Sequence, residues 1–537
     1  MNIKKELLRI IPFLVFALII WCKNIYFIIS ISPNILLELS SFAIIRIFST
    51  YAAVACIISF FCFIYFKKII SWIILFLTDL WLLANLLYYR SYHDLINIWC
   101  LDSIGQLGLY DGIILPYLKI GDIFLLLTTL IWVGITFISK VDKHKLINRL
   151  TCIISIVLIL LLSSPWLMTA SRTNTFINPF NSYYHDVSMG RGWYVLTFSP
   201  ITHGINELLA LPKLWDSNQT QTTTTFDLEA QIKKKVTTKS NCNIVIVLFE
   251  SLESWVIDTT IYENNITKNL NLLIEKNNTL LIKETIPQVK MGRSADAQLI
   301  TLTGLLPINQ GVTCMRYMNN TYPSLVKAAN ADFSKIYIPT PASAWNQEAM
   351  TTAFGFDHLY AETVSDRTLV NFLLEEIKNK KDSSFFVVMT TMASHVPFEV
   401  YADSSKLSFP TNYEYAKYLQ TINYTDECLK PLIDYCVSAT ETPILLVITG
   451  DHTTHNSPIS ESVPLIIHYS NRALETNIDT AFQIDIYPTI LNLMGCNEYY
   501  WEGVGLNLLD KFSTRKNNAN EISNAMIKTN FFKDINM

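Results

Sequence analysis

The chain has 537 residues, a formal net charge of −4 and 50% hydrophobic residues. Charge this close to neutral gives no footing for nucleic-acid binding, and the length implies more than one domain. No zinc-knuckle spacing, P-loop or dinucleotide fingerprint is present.

Hydropathy is uneven along the chain. The first third is strongly apolar, and the rest has the composition of a soluble globular domain. Five apolar stretches are long enough, or nearly so, to cross a bilayer: Ile10–Ser30, Ile47–Phe66, Ile69–Leu87, Ile123–Ile138 and Leu150–Met168. The first lacks a small-residue cleavage pattern and reads as a retained span. Basic residues set the orientation. Lys4, Lys5 and Arg9 precede the first span, Lys67 and Lys68 separate the second from the third, and Lys140, Lys143, Lys145 and Arg149 separate the fourth from the fifth. The other side carries only Arg46, Arg90 and Lys119 near span ends. This pattern puts the N-terminus in the cytoplasm and everything after Met168 outside. Lys23, Asp79 and Asn85 lie within spans and are read as satisfied interhelical contacts in preference to a functional relay.

A transmembrane domain is therefore expected over residues 1–168. Within it, Tyr88–Asp122 is rich in aromatics and leucine and suggests an interfacial helix. Residues 169–241 form a juxtamembrane segment and linker. Its amphipathic run near Ile205–Leu211 suits either a helix lying along the membrane or a connector packed on the next domain. Ser217–Asn241, polar and threonine-rich, has linker composition.

Residues 242–510 alternate strand and helix patterns. The strand candidates are Asn243–Phe249, Thr279–Ile286, Lys335–Ile338, Phe385–Thr390, Ile444–Thr449 and Val463–Tyr469. The order implies an α/β domain whose mainly parallel sheet is covered by helices on both faces. Residues 511–537 are Asn- and Lys-rich and are expected to be a poorly ordered polar tail. The globular part holds an odd number of cysteines, which does not suit a disulfide framework. Cys428 and Cys436 are read as buried thiols.

The chemistry centres on Gly292-Arg293-Ser294-Ala295-Asp296-Ala297-Gln298, between the strand ending at Ile286 and an apolar helical run. Alone, Ser294 reads as an ordinary helix N-cap. Two distant stretches change that reading. The strand Asn243–Phe249 ends in Glu250, and Ile444–Thr449 ends in Gly450-Asp451-His452. Groups at strand C-termini meet in the crevice of an open α/β sheet. Glu250, Ser294, Asp451 and His452 supply hard oxygens and one imidazole, a ligand set for a single divalent metal.

The chain resembles the lipoteichoic acid synthase-like phosphoglycerol transferases of the alkaline phosphatase/sulfatase superfamily. The resemblance covers nearly the whole chain and rests on motifs in a fixed order. These are Leu87-Tyr88-Tyr89-Arg90 at the end of a span, Phe249-Glu250-Ser251, Gly292–Gln298, Trp345-Asn346, Ser394-His395-Val396-Pro397-Phe398, Gly450-Asp451-His452 and Asp485-Ile486-Tyr487-Pro488-Thr489. The resemblance implies an extracytoplasmic sulfatase-like domain on a multi-pass protein of the bacterial cell membrane. It implies Ser294 as nucleophile, with Glu250, Ser294, Asp451 and His452 on one metal, manganese before magnesium or zinc. His395 would hold a phosphate oxygen or protonate a leaving oxygen, and Trp345, Asn346 and Arg293 would face the substrate. The implied partners are a phospholipid donor, phosphatidylglycerol, and a glycan or glycolipid acceptor. Three other readings stay open: phosphoethanolamine transfer from phosphatidylethanolamine, a sulfatase-like phosphodiesterase, and a non-catalytic binding module. Two departures bear on the choice. The nucleophile is Ser294 where the family usually has threonine, and Gln347 stands where it commonly has an arginine on the head-group phosphate. Arg293 or Arg316 would compensate, or would simply lie solvated at the surface.

Overall fold

The computed structural model describes residues 3–31, 39–64, 68–92, 94–110, 117–138, 153, 155–163, 195, 198–214, 227–234, 236–380, 383–398, 401–439, 441–454 and 460–535. The chain divides into two compact units. One comprises residues 1–98 and 112–216, the other residues 99–111 and 217–537.

Among the described residues of the first unit, four helices are long and apolar enough to cross a membrane, over Ile11–Ile31, Ser41–Cys62, Lys68–Ser91 and Ile120–Phe137. Large side chains such as Phe61, Leu77 and Leu130 stay exposed on their outer faces, as lipid-facing positions require. The expected count was five. The fifth stretch, Leu150–Met168, lies partly outside the described residues, among which 155–163 are helical. Lys23 and Asp79 are buried together as an ion pair. Thr129 joins them, donating to Asp79 Oδ2 at 2.6 Å, and Asn85 Oδ1 accepts from the Ile96 N–H at 3.0 Å. Lys23, Asp79 and Thr129 satisfy one another between helices, as the cost of unpaired charge in an apolar bundle demands, whereas Asn85 bonds to its own helix at Trp81 and to the loop at Ile96. Arg90 holds Asp122 through both guanidinium nitrogens, at 2.7 and 2.9 Å.

The expected interfacial helix is replaced by a 3-10 segment, Ile98–Tyr110, most of which belongs to the second unit. The reason is polar. Asp102 accepts from Arg316 Nε at 2.6 Å and Nη2 at 2.8 Å, and the Arg316 guanidinium lies 4.7 Å from the Trp99 ring centroid.

The second unit is built on an eight-stranded sheet. In chain order the strands are β1 (Asn243–Phe249), β2 (Thr260–Ile261), β3 (Asn264–Asn265), β4 (Thr279–Ile286), β5 (Phe333–Ile338), β6 (His358–Ala361), β7 (Phe385–Thr390), β8 (Ile444–Gly450), β9 (Val463–Tyr469) and β10 (Thr480–Phe482). The sheet order is β10-β4-β9-β8-β1-β7-β5-β6, with β2 and β3 forming a separate ribbon. Every pairing in the large sheet is parallel except those of β9, which runs antiparallel to β4 and β8. Central strand β1 is buried at every position. Its alternate residues feed two cores. Ile244, Ile246 and Leu248 pack with the helices Ser294–Thr303 and Ile486–Leu493. Val245, Val247 and Phe249 pack with Lys268–Ile274, Asp366–Lys378 and Ala416–Val437. Helices therefore cover both faces, and the continuous apolar runs of β1 and β8 reflect burial on both sides.

Two expectations at the domain edges change. The tail contains a helix, Ala519–Lys528. Ile522, Met526, Ile527 and Phe532 are buried in the first core, so a thin apolar stripe overrides the polar composition. The presumed linker is attached from Asp227 onward. Leu228 and Ile232 pack on the core, and Ser240 and Asn241 donate backbone bonds to Ala329 and Met494. Residues 215–226 and most of 169–197 lie outside the described residues. The described run Pro200–Ala210 is a helix of the first unit, with His203 and Glu207 buried.

Candidate active site

β1 and β8 are register neighbours, with Phe249 opposite Gly450. The chain leaves both at the same sheet edge, so Glu250, Asp451 and His452 emerge side by side. Gly450 is required there, because a Cβ would overlap the Leu252 carbonyl oxygen and the Val463 side chain. Ser251 has φ 52°. In this turn its N–H donates to Asp451 Oδ1 at 2.8 Å and its hydroxyl to Glu250 Oε1 at 2.8 Å.

The nucleophile loop is held from within. The buried Asp296 carboxylate accepts from the backbone N–H groups of Lys290 and Gly292, each at 2.9 Å. Arg293 turns the chain with φ 50° and ψ −120°, and Ser294 opens the helix. Ser294 is therefore not the N-cap; its hydroxyl points at the acidic cluster instead. It donates to Glu250 Oε2 at 3.2 Å and lies 3.3 Å from His452 Nε2. His452 Nε2 is 3.8 Å from Glu250 Oε1 and 3.5 Å from Asp451 Oδ2. One atom from each of Glu250, Asp451 and His452 falls within 4.8 Å of the others.

Electrostatics make this cluster costly without a cation. Burial, then the adjacent Asp451 carboxylate, push Glu250 up to about 8, against the pull of the His452 imidazole and the Ser251 and Ser294 hydroxyls. Asp451 Oδ2 is buried without a hydrogen-bond donor among the described residues. The His452 Nδ1–H meets the Thr453 carbonyl at 2.9 Å, which fixes the tautomer and leaves the Nε2 lone pair facing the carboxylates. Two carboxylates, an imidazole nitrogen and a hydroxyl around an orphaned anionic oxygen fit a divalent metal.

His395 follows β7. Its Nδ1 is 2.7 Å from the Val396 carbonyl oxygen, and burial holds its pKa below the usual histidine range. Trp345 and Asn346 both have left-handed backbones, with φ 52° each. The Trp345 N–H donates to Gln106 Oε1 at 3.0 Å, and Asn346 Nδ2 to the Cys314 carbonyl at 3.1 Å. Their link to the nucleophile helix runs through Gln347, whose Nε2 donates to Gln298 Oε1 at 3.1 Å. The position that departs from the family pattern, Gln347, is thus a buried amide bonded to the nucleophile helix one turn beyond Ser294. Cys428 and Cys436 are buried free thiols.

Several supporting residues escaped the sequence reading. Thr391 Oγ1 accepts the Glu250 N–H at 2.9 Å, and Ser394 Oγ donates to the Glu250 carbonyl at 2.5 Å. Gln483 Nε2 donates to the Asp451 carbonyl at 2.8 Å. Buried Asp366 accepts from the N–H groups of Met392 and Ala393, anchoring the loop that carries His395. Ser251 and Ser394 sit inside quoted motifs. Nothing in the sequence marks Gln483 or Asp366.

Family models match two long regions: "Sulfatase" over residues 242–496 and "Lipoteichoic acid synthase N-terminal domain" over residues 1–197. Lipoteichoic acid synthase 2 of Bacillus subtilis is 23% identical over 486 residues, covering 82% of this chain and 74% of the relative. Lipoteichoic acid synthase of Staphylococcus saprophyticus is 22% identical over 518 residues, covering 87% and 79%. Among solved structures, the integral membrane lipooligosaccharide phosphoethanolamine transferase A from Neisseria meningitidis matches with a TM-score of 0.55 and 12% identity, over 90% of this chain and 96% of that one. Together with the motif order and the site geometry, these matches make the chain a lipoteichoic acid synthase-like phosphotransferase of the alkaline phosphatase/sulfatase superfamily.

Proposed function

We propose that the chain transfers a phosphoglycerol group from phosphatidylglycerol to a glycan or glycolipid acceptor through a phospho-Ser294 intermediate. The observation that carries this reading is the convergence of the Ser294 hydroxyl on Glu250, Asp451 and His452 at the ends of β1 and β8. In it, residues 1–168 form the membrane domain with a cytoplasmic N-terminus, and residues 242–510 work outside the membrane.

Glu250, Ser294, Asp451 and His452 hold one divalent metal, for which manganese is the first candidate. When bound, the metal supplies positive charge that lowers the hydroxyl pKa and polarises the phosphodiester. Ser294 Oγ attacks phosphorus, the P–O bond to diacylglycerol breaks, and diacylglycerol leaves as the alcohol. The anionic phosphodiester favours the imidazolium form of His395; its Nε2–H passes to the leaving oxygen while Nδ1–H stays on the Val396 carbonyl, and the proton lost by Ser294 goes to water, which returns one to His395. An acceptor hydroxyl then attacks phosphorus, the Ser294 Oγ–P bond breaks, and the proton returns to Ser294. The helix N-terminus at Ser294 adds partial positive charge toward the phosphoryl group. Trp345, Asn346 and Arg293 shape the donor side.

Diacylglycerol release from phosphatidylglycerol vesicles tests this. The purified chain with manganese should release it, and Ser294→Ala should fall to background. Equal release by Ser294→Ala would sink the nucleophile assignment.

A further inference from the structure

A second feature of the catalytic unit is a cavity of about 200 Å3 walled by Trp255, Phe398, Tyr415 and Tyr418, with Glu253 and Glu414 as its charged members. It is continuous in the chain with the site. Phe398 follows His395 in the same loop, Thr454 of the wall follows His452, and the Tyr418 hydroxyl donates to the Ser251 carbonyl at 2.9 Å, beside Glu250.

The rings form a joined wall. Trp255 lies 5.9 Å from Tyr415 and 6.0 Å from Tyr418, and Phe398 lies 5.4 Å from Tyr418, centroid to centroid. Glu253 is buried and fixed, accepting from Trp255 Nε1 at 2.6 Å and the Thr454 N–H at 2.9 Å. Glu414 is exposed. Among the described residues, no lysine or arginine lines the cavity. Carboxylates repel a phosphate, and aromatic faces carry the negative side of the ring quadrupole. Both attract a cation, whose interaction with ring faces strengthens as water is removed.

We propose that this cavity binds the ammonium group of a substrate, an assignment that rests on the transferase reading of the adjoining site. The ammonium comes either from an ethanolamine head group on the donor lipid or from an amino group on the acceptor.

The test uses the full-length chain in detergent. Tetramethylammonium chloride is titrated calorimetrically without added metal, against sodium chloride at equal ionic strength. Saturable binding specific to tetramethylammonium is expected, weakened about tenfold by Tyr415→Ala and by the surface change Glu414→Gln. No saturable binding by the folded protein, or binding indifferent to both changes, would overturn the proposal. The source follows from the mass added to the Ser294 peptide in vesicles holding phosphatidylglycerol and phosphatidylethanolamine. An ethanolamine-phosphate adduct assigns the ammonium to the donor, and a glycerophosphate adduct with binding intact assigns it to the acceptor. Tetramethylammonium binding without any adduct would remove the transfer reading and leave the ammonium site standing.

Discussion

Asp296 offers the sharpest perturbation of the nucleophile loop. It lies outside the ligand cluster, yet its carboxylate gathers the N–H groups of Lys290 and Gly292. Asp296→Ala leaves two donors without their acceptor. Each costs about 1–3 kcal/mol when buried, and water entering the vacated space recovers part of that. A net loss of about 2–4 kcal/mol is expected, lowering Tm by roughly 4–8 °C. Misplacing Ser294 by about 1 Å should slow its phosphorylation about a hundredfold. Asp296→Asn keeps an oxygen for both donors and separates geometry from charge. Burial raises the Asp296 pKa from 3.8 to about 6. The folded state therefore holds this proton more tightly than the unfolded chain, and stability falls as pH rises from 3.8 through 6. That window is worth about 3 kcal/mol, and the asparagine variant should lose less stability across it. Thermal unfolding of the full-length chain in detergent at pH 4 to 7, with the rate of Ser294 phosphorylation, measures both effects. An Asp296→Ala protein with parental Tm and parental rate would refute the reasoning.

Manganese affinity should rise about tenfold per pH unit up to about 8, because Glu250 must shed its proton to ligate; the metal-free protein should lose stability over the same rise, from 4.5 to about 8, and calorimetry showing pH-independent affinity would contradict this. Gly450→Ala should cost at least about tenfold in metal affinity, since the new Cβ pushes on Leu252 and Val463 and shifts Asp451 and His452; metal content after dialysis reads it out. Arg515→Ala should destabilise by about 2–3 kcal/mol, because it strips the charged partner from fully buried Asp485, discounted for the 35% exposure of Arg515. Thermal unfolding checks that loss.

The legible parts of the sequence were those where one physical demand dominates. β1 and β8 are buried on both faces, so their apolar runs stood out and pointed to Glu250 and Asp451 at their ends. β6 and β10 escaped because four and three residues carry too little periodicity. The C-terminal helix escaped because asparagine and lysine dominate a segment whose packing rests on Ile522, Met526 and Ile527. Trp99 and its neighbours read as lipid-facing, since composition does not announce that Asp102 pairs with distant Arg316. The cavity at Trp255 was illegible for the same reason: its walls come from four separated segments.

The central claim is covalent chemistry at Ser294. Its most direct test is the mass of the Ser294 peptide after the purified chain meets manganese and vesicles of phosphatidylglycerol and phosphatidylethanolamine. The account predicts a head-group phosphate adduct on Ser294 that is absent from Ser294→Ala. Diacylglycerol release with an unmodified Ser294 peptide throughout turnover would contradict it.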